Sequence, residues 1–410
     1  MAIIVQKFGG TSVADAEKIR RATQRVIKVV KNGFQVVVVA SARGKQTDEL
    51  IADALELNPN PPERELDQLL STGEIQSVSL FAMALGAAGH DAISFTGAQI
   101  RMVTDSVHTK ARIKSIDAEK IREQLGKGKI VLVAGFQGID ENGNITTLGR
   151  GGSDTSAVAL ATALGAEECE IYTDVDGIYT TDPRIFKDAV KMDMISYDEM
   201  LELSSLGAGV MHTRAVEFGK KYDVRIHVRS SIEEKEGTII THEVPQMEDV
   251  VVSGATVQKD MAIIDLVGVD NKPGNAAKTF AALAGAKVVV SDIIQTEVSS
   301  EKANLSFLIG ISDLRAAKEA VEAIKEDINC ENIFVREDIA EISVVGVGMR
   351  THYGVAEKMF GALAKARINI DAITTSEIRI SCVVSKDQAE DALRTVSAAF
   401  ELDKLAQDRA

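Results

Sequence analysis

Cysteine is scarce in this chain. Cys169, Cys330 and Cys382 are its three cysteines, far apart and with no C-x-x-C spacing. An odd, scattered set suits reduced thiols in a cytosol better than a disulfide framework and argues against a zinc site. Positive charge is also in deficit, with 46 lysines and arginines against 61 acidic residues and a formal net charge of −15. That balance opposes nucleic acid or an anionic membrane as the main partner and leaves room only for a local basic site for phosphate. Small molecules and other proteins are better candidates. No apolar run approaches the roughly 18–20 residues that span a bilayer. The segment Met1-Ala2-Ile3-Ile4-Val5-Gln6-Lys7 enters an apolar strand at once, without a basic leader. The expectation is a soluble, cytoplasmic protein.

Several motifs are missing as well. There is no G-x-x-x-x-G-K-[ST], no G-x-G-x-x-G after a strand and no H-R-D or D-F-G set, which disfavours P-loop, Rossmann and protein-kinase chemistry. The six histidines, at 90, 108, 212, 227, 242 and 352, show no metal-ligand spacing and read as structural. No resident metal is expected. Of only six prolines, three fall in Pro59-Asn60-Pro61-Pro62, a surface loop.

What is present is enough apolar material for real cores. With 45% hydrophobic and 26% charged residues over 410 positions, the chain should form two or three globular domains. Up to about residue 245, β-branched runs alternate with helical stretches. Val36–Val39, Lys129–Val133, Glu170–Tyr172 and Val224–Val228 read as buried strands. Asp15–Lys31, with Ile19, Ala22, Val26 and Val30 on one face, reads as a helix, as do Gly73–Ala88, Ala118–Leu125 and Thr155–Leu164. Such alternation predicts a mostly parallel sheet covered by helices on both faces, with ligands at the carboxyl ends of its strands.

After residue 245 the chain repeats itself. At a constant offset of 80, Gly274, Ala276, Lys278, Phe280, Ala282, Leu283, Ala284, Ala286, Ile293 and Glu297 all recur. Each copy reads as a strand (Ile263–Val269; Glu341–Val347), a glycine turn, a helix and a second strand (Lys287–Ile294; Ile368–Ile373), closed by a further strand, helix and strand. That βαββαβ order is a ferredoxin-like module, so the tail is expected to be two copies of one small α/β domain. A plain interaction scaffold is the competing reading of such a duplication.

Three loops of the first part carry the chemistry. Lys7-Phe8-Gly9-Gly10-Thr11-Ser12 follows the first strand and precedes a helix. Its glycines let backbone N–H groups approach an anion, and Lys7 adds a positive charge, which makes a phosphate cradle where a bare Gly-Gly would be an ordinary tight turn. Leu148-Gly149-Arg150-Gly151-Gly152-Ser153-Asp154-Thr155 opens the next helix and forms a second anion loop. In it Asp154 can serve Mg2+ or a lysine ammonium, or act only as an N-terminal carboxylate. Two such loops suggest a phosphoryl donor and an acceptor. Thr173-Asp174-Val175-Asp176-Gly177-Ile178-Tyr179-Thr180-Thr181-Asp182-Pro183-Arg184 has the turn pairs of a solvent loop, yet it lies where a nucleotide would. There Tyr179 could line a base or ribose pocket, and Arg184 could reach a phosphate.

Taken together, Lys7–Ser12, Ser41-Ala42 with Thr47 downstream, Gly149–Asp154, Thr173–Arg184 and Val228-Arg229-Ser230-Ser231 resemble the monofunctional aspartate kinases of the amino-acid-kinase superfamily. The repeated tail resembles the tandem ACT domains of those enzymes. The resemblance implies an α/β catalytic domain over 1–245, a linker and strand over 246–262, and ACT modules over 263–338 and 339–410. It implies transfer of a phosphoryl group from MgATP to the side-chain carboxylate of L-aspartate, the first step towards lysine, threonine, methionine and diaminopimelate. By likeness, Lys7 and Asp154 are catalytic. Ser41, Thr47, Glu74, Arg150, Gly151, Gly152 and Ser153 hold aspartate, with Arg150 on the α-carboxylate and Glu74 on the ammonium. Lys7, Gly9, Gly10, Thr173, Asp174, Tyr179 and Arg184 hold ATP. Pro273, Gly274, Ala276, Gln295, Val355 and Glu377 mark an effector site for lysine, threonine or both. A homodimer or higher oligomer through the ACT domains is also implied, and Met247 stands where some relatives begin a separate regulatory subunit. There are departures: Gly209 stands where a lysine is usual, Arg43 where methionine is, Val289 where asparagine is and Tyr353 where proline is. Acetylglutamate or glutamate kinases, and a non-catalytic amino-acid sensor, are the competing readings.

Overall fold

The computed structural model describes residues 1–207, 209–242, 244 and 251–404, so Met247 lies outside the described residues. They form two compact units. Of the described residues, 1–179 and those from 191 to 244 fall in the first, and 180–190 and 251–404 in the second. The excursion Thr180–Val190 therefore belongs with the second half of the sequence, although it lies inside the stretch 1–245.

The first unit is built on an eight-stranded sheet. Its order is Met194–Ser196, Thr238–Thr241, Ile226–Ser230, Glu168–Thr173, Ile3–Phe8, Gln35–Ala40, Ile130–Ala134 and Ala92–Phe95. Only the pairing of Thr238–Thr241 with Ile226–Ser230 is antiparallel. Val36 to Ala40 are all essentially without solvent exposure, as befits a central strand covered on both faces. Helix Ala16–Lys31 starts at Asp15, whose carboxylate accepts the Lys18 N–H at 2.9 Å, an N-cap of ordinary chemistry. Its buried face is Ile19, Ala22, Val26 and Ile27; Val30 is only partly covered.

Two helices begin earlier than the sequence pattern indicates. The second long helix spans Glu63–Ala87, not Gly73–Ala88, and Pro62 is its N-cap. Its first turns are mostly polar, so apolar periodicity could not reveal them, whereas proline at a helix start needs no N–H partner. The alanine-rich helix spans Gly152–Leu164, with Gly151 at its cap in the left-handed region, φ 66°. Nearly every residue of this helix is buried, because its small side chains let it lie close against its neighbours.

The second unit holds one six-stranded antiparallel sheet, ordered Val290–Glu297, Lys302–Gly310, Gly254–Asp270, Asn332–Val345, Arg379–Ser385 and Ala372–Thr375. Helices Asn275–Gly285 and Leu314–Ala323 cover one core, and Val355–Lys365 and Ala389–Ala399 the other. Gly274 (φ 102°) and Gly354 (φ 89°) cap the matching helices of the two copies. The repeat is real, but its strands differ from expectation in two ways. After each first helix, Lys287 and Arg367, both at φ 59° and 80 residues apart, make a left-handed turn. The strands expected at Lys287 and Ile368 therefore start at Val290 and Ala372. The second copy has no closing strand after Ala389–Ala399 among the described residues; Gly254–Gln258 takes that place by pairing with Glu341–Val345. The two long strands thus each serve both modules.

Candidate active site

Lys7 is the penultimate residue of Ile3–Phe8, paired on one side with Val39 and on the other with Ile171. Its ammonium therefore rises from the carboxyl end of the central strands. There it meets Asp154 of the first turn of Gly152–Leu164, Nζ to Oδ1 2.6 Å, with both side chains nine-tenths buried. A charge pair held with so little water around it is preorganised, and removal of one partner leaves a costly buried charge. The glycines beside it are there for space. A Cβ on Gly10 would stand 2.6 Å from the Ala42 carbonyl oxygen, and the Gly44 N–H donates to the Gly10 carbonyl at 3.0 Å. The Gly9 N–H donates to the Tyr172 carbonyl at 3.2 Å. The first glycine loop is thus clasped between the turn at Ser41–Gly44 and the strand Glu168–Thr173. Arg43, an unusual residue for the family it resembles, donates from Nη2 to the Ala14 carbonyl at 3.0 Å.

Glu74 comes to the same turn from the long helix. Its Oε1 accepts the Ala42 N–H at 3.0 Å, and its buried Oε2 takes no hydrogen bond from any described residue. Burial pushes this carboxyl up to about 7 in spite of the Ala42 N–H, so a neutral acid is stable here until a cation arrives. Ser41 and Thr47 are half-buried on the same segment. The second glycine loop is held from below. Gly151 lies on the His212 ring, with only 2.2 Å from its absent Cβ to that side chain, and Gly135 leaves just enough room for Ser153. Arg150 is exposed at the tip. Burial lowers the His212 pKa, partly offset by Asp154, so the imidazole is neutral at pH 7. Nothing in the sequence marks His212 as the floor of this loop, since it supports Gly151 by shape.

On the other side of Lys7 lies the loop after Glu168–Thr173. Thr173 donates its hydroxyl to Asp174 at 3.0 Å, and Tyr179 donates to Asp176 at 2.9 Å. Arg184 forks onto Asp182 and lies in the second compact unit, not in the unit that carries Lys7. Beneath the loop, Tyr172 stacks on Phe8 with ring centroids 4.8 Å apart. Glu168, Glu170 and His227 lie within ligand distance of one another. Their carboxylates already face guanidinium groups, Arg225 on Glu168 at 3.0 Å and Arg229 on Glu170 at 2.7 Å. Among the described residues no helix is long and apolar enough to cross a membrane.

In the second unit, Pro273, Gly274, Ala276 and Gln295 line a cavity of about 300 Å³ together with Asp270, Lys272 and Asn275. Asp270 is held far below the usual carboxylate range by Lys272, Asn329 and Lys302. The corresponding residues of the other copy do not line it. Val355 is buried at a helix start, and Glu377 is exposed and paired with Arg350 at 3.2 Å.

The chain matches the model of the amino acid kinase family over residues 2–230 and that of an ACT domain over residues 342–400. It is 50% identical over 402 residues to an aspartokinase of Bacillus sp. (strain MGA3), covering 98% of each chain. Aspartokinase 2 of Bacillus subtilis (strain 168) is 46% identical over 404 residues, 98% of this chain and 99% of that one. Among solved structures, E. coli aspartokinase III in complex with aspartate and ADP superposes with a TM-score of 0.83 at 25% identity, over 97% of this chain and 99% of that chain. With a family model spanning more than half of the sequence and relatives of this identity along nearly all of it, the chain belongs to the aspartokinases of the amino acid kinase family and is a phosphotransferase.

Proposed function

We propose that this enzyme transfers the γ-phosphoryl group of MgATP to the side-chain carboxylate of L-aspartate, giving 4-phospho-L-aspartate, and that lysine, threonine or both regulate it through the ACT modules. The observation that carries the catalytic part is the Lys7–Asp154 pair, 2.6 Å long and nearly dry, between two glycine loops. A carboxylate is already a nucleophile at neutral pH, so no general base is needed. Catalysis then consists of alignment of two anions and stabilisation of charge as it passes between phosphate oxygens. Lys7 does the second, while Asp154 holds Lys7 in place and would serve the Mg2+ that accompanies the nucleotide. Arg150 and Glu74 grip the two ends of the amino acid, with Ser41, Thr47, Gly151, Gly152 and Ser153 around it. Gly9, Gly10, Thr173, Asp174 and Tyr179 face the nucleotide. Arg184 is implied in the same role by the resemblance alone. Lysine biosynthesis and the related routes would consume the product, and an assembly through the ACT modules fits the resemblance.

The test is direct. Purified enzyme with MgATP is offered L-aspartate, L-glutamate, acetylglutamate and carbamate, and the acyl phosphate is trapped with hydroxylamine. Hydroxamate from aspartate alone supports the reading; formation from another acceptor, or from none, overturns it.

A further inference from the structure

Asp67 has no solvent exposure at all, sits on Glu63–Ala87 two helical turns before Glu74, and plays no part in the chemistry above. An isolated buried carboxylate is expensive, so its partners say what it is for. Oδ1 accepts from the Thr147 hydroxyl at 2.5 Å and from the Thr109 N–H at 3.1 Å. Oδ2 accepts from the same N–H at 3.0 Å and faces His108 Nδ1 at 2.8 Å. All of these partners belong to two short segments, 108–109 and 147; the second continues directly into the second glycine loop, and the first lies against it. Gly149, at φ 79°, lies so close to the Thr109 carbonyl that a Cβ would be 2.9 Å from it. The Ala111 N–H donates to the Thr147 carbonyl at 2.9 Å. Arg214 completes the tie, donating to the Leu148 carbonyl at 2.9 Å and to the Ala111 carbonyl at 2.8 Å.

We infer that Asp67 is a positioning residue for the acceptor: it pins the turn at His108–Thr109, on which Gly149 rests, and so sets where Arg150 presents its guanidinium. The helix that supplies Glu74 to one end of aspartate thereby also locates the group at the other end. One rigid element sets the span between the two grips, which is a specificity ruler for a four-carbon amino dicarboxylate. A bidentate guanidinium contact depends on placement to a fraction of an ångström, so slack in the tether acts on acceptor binding and spares the nucleotide. This inference rests on the proposed aspartate subsite at Arg150 and Glu74.

Full-length Asp67→Asn, His108→Gln and Thr147→Val are compared with wild type by initial rates, with each substrate varied in turn, alongside thermal denaturation. Asp67→Asn should raise the apparent KM for aspartate about tenfold or more while that for ATP moves by less than about twofold. Thr147→Val and His108→Gln each remove one strand of the tether and should shift the aspartate constant in the same direction by a smaller factor. They carry the test if Asp67→Asn does not fold. L-glutamate turnover relative to aspartate should rise in Asp67→Asn as the ruler loosens. A lowered melting temperature with the aspartate-to-ATP KM ratio unchanged in all three variants would make Asp67 purely structural and overturn the inference. Arg150→Ala separates the two levels. If it raises the KM for ATP instead of aspartate, the subsite reading fails; if it raises that for aspartate while the tether variants do not, only the tether fails.

Discussion

At Glu74 burial and binding pull in opposite directions. Out of water, and with one N–H donor, the carboxyl is protonated up to about pH 7; to grip an ammonium it must ionise. The aspartate KM should therefore fall steeply as pH rises towards 7, by up to about tenfold per pH unit, and level off above it, whereas Glu74→Gln should bind weakly with no such slope. Initial-rate measurements between pH 5.5 and 8.5 at saturating ATP check this. Lys7 and Asp154 stand out in the sequence as charged groups at glycine-loop junctions, although Asp154 alone reads equally as a helix N-terminal carboxylate, whereas Glu74, inside a helix, comes to notice only through the family resemblance. Their partners were not legible. The Ala42 N–H on Glu74, the Thr109 N–H on Asp67 and the Arg214 contacts to carbonyls involve backbone groups, which every residue carries alike. His212 left no mark for a related reason: it supports Gly151 by shape.

Among the elements, the second glycine loop shows why its sequence is so restricted. Gly151 combines a left-handed backbone with contact against His212. Gly151→Ala should cost about 1–2 kcal/mol for the backbone alone and more for the collision. The expected result is a lower melting temperature together with a rise in the aspartate KM. Calorimetry and kinetics on the same preparation would show both, and an unchanged aspartate KM would detach this loop from the acceptor. Element type was readable wherever periodicity was strong, as in Val36–Ala40 and Ala16–Lys31. It failed at edges governed by something else. Polar first turns hid the start of Glu63–Ala87. Non-glycine left-handed turns at Lys287 and Arg367 delayed two strands. The closing strand of the second repeat was hidden for a deeper reason, since Gly254–Gln258 chooses its partner from far along the chain and no local pattern encodes that choice.

On the scale of the whole molecule, each unit carries a buried carboxyl raised well above its ordinary range, Glu74 in the first and Glu341 in the second. In the second unit Glu341 is buried, and desolvation, reinforced by Asp292, holds its carboxyl above the ordinary range; Arg379 pairs with Asp292 at 2.8 Å. A carboxyl raised in the folded state gives stability that is full below its unfolded pKa near 4.5 and is lost as pH rises through the folded value. The second unit should therefore melt progressively lower from pH 5 to 8. Glu341→Gln, which keeps the shape and cannot ionise, should flatten that slope and melt higher than wild type at pH 8; scanning calorimetry of the full chain across this range decides it. Regulation belongs to the same scale. Lysine or threonine, alone and together, should inhibit the wild type, and Gln295→Ala, which alters the wall of the 300 Å³ cavity, should relieve inhibition without loss of the basal rate. Insensitivity of the wild type to both would leave the ACT modules as an assembly device.

The account as a whole turns on the charge pair at the sheet's carboxyl edge. Its most direct test is the rate of aspartyl hydroxamate formation at saturating MgATP and aspartate in wild type, Lys7→Ala, Asp154→Ala and the double variant, each shown to be folded by circular dichroism. Each single change should lower kcat by a factor on the order of 10²–10⁴, and the double variant should be little worse than the poorer single one, because the two groups act as a unit. A folded single variant that retains near-normal turnover would contradict the account.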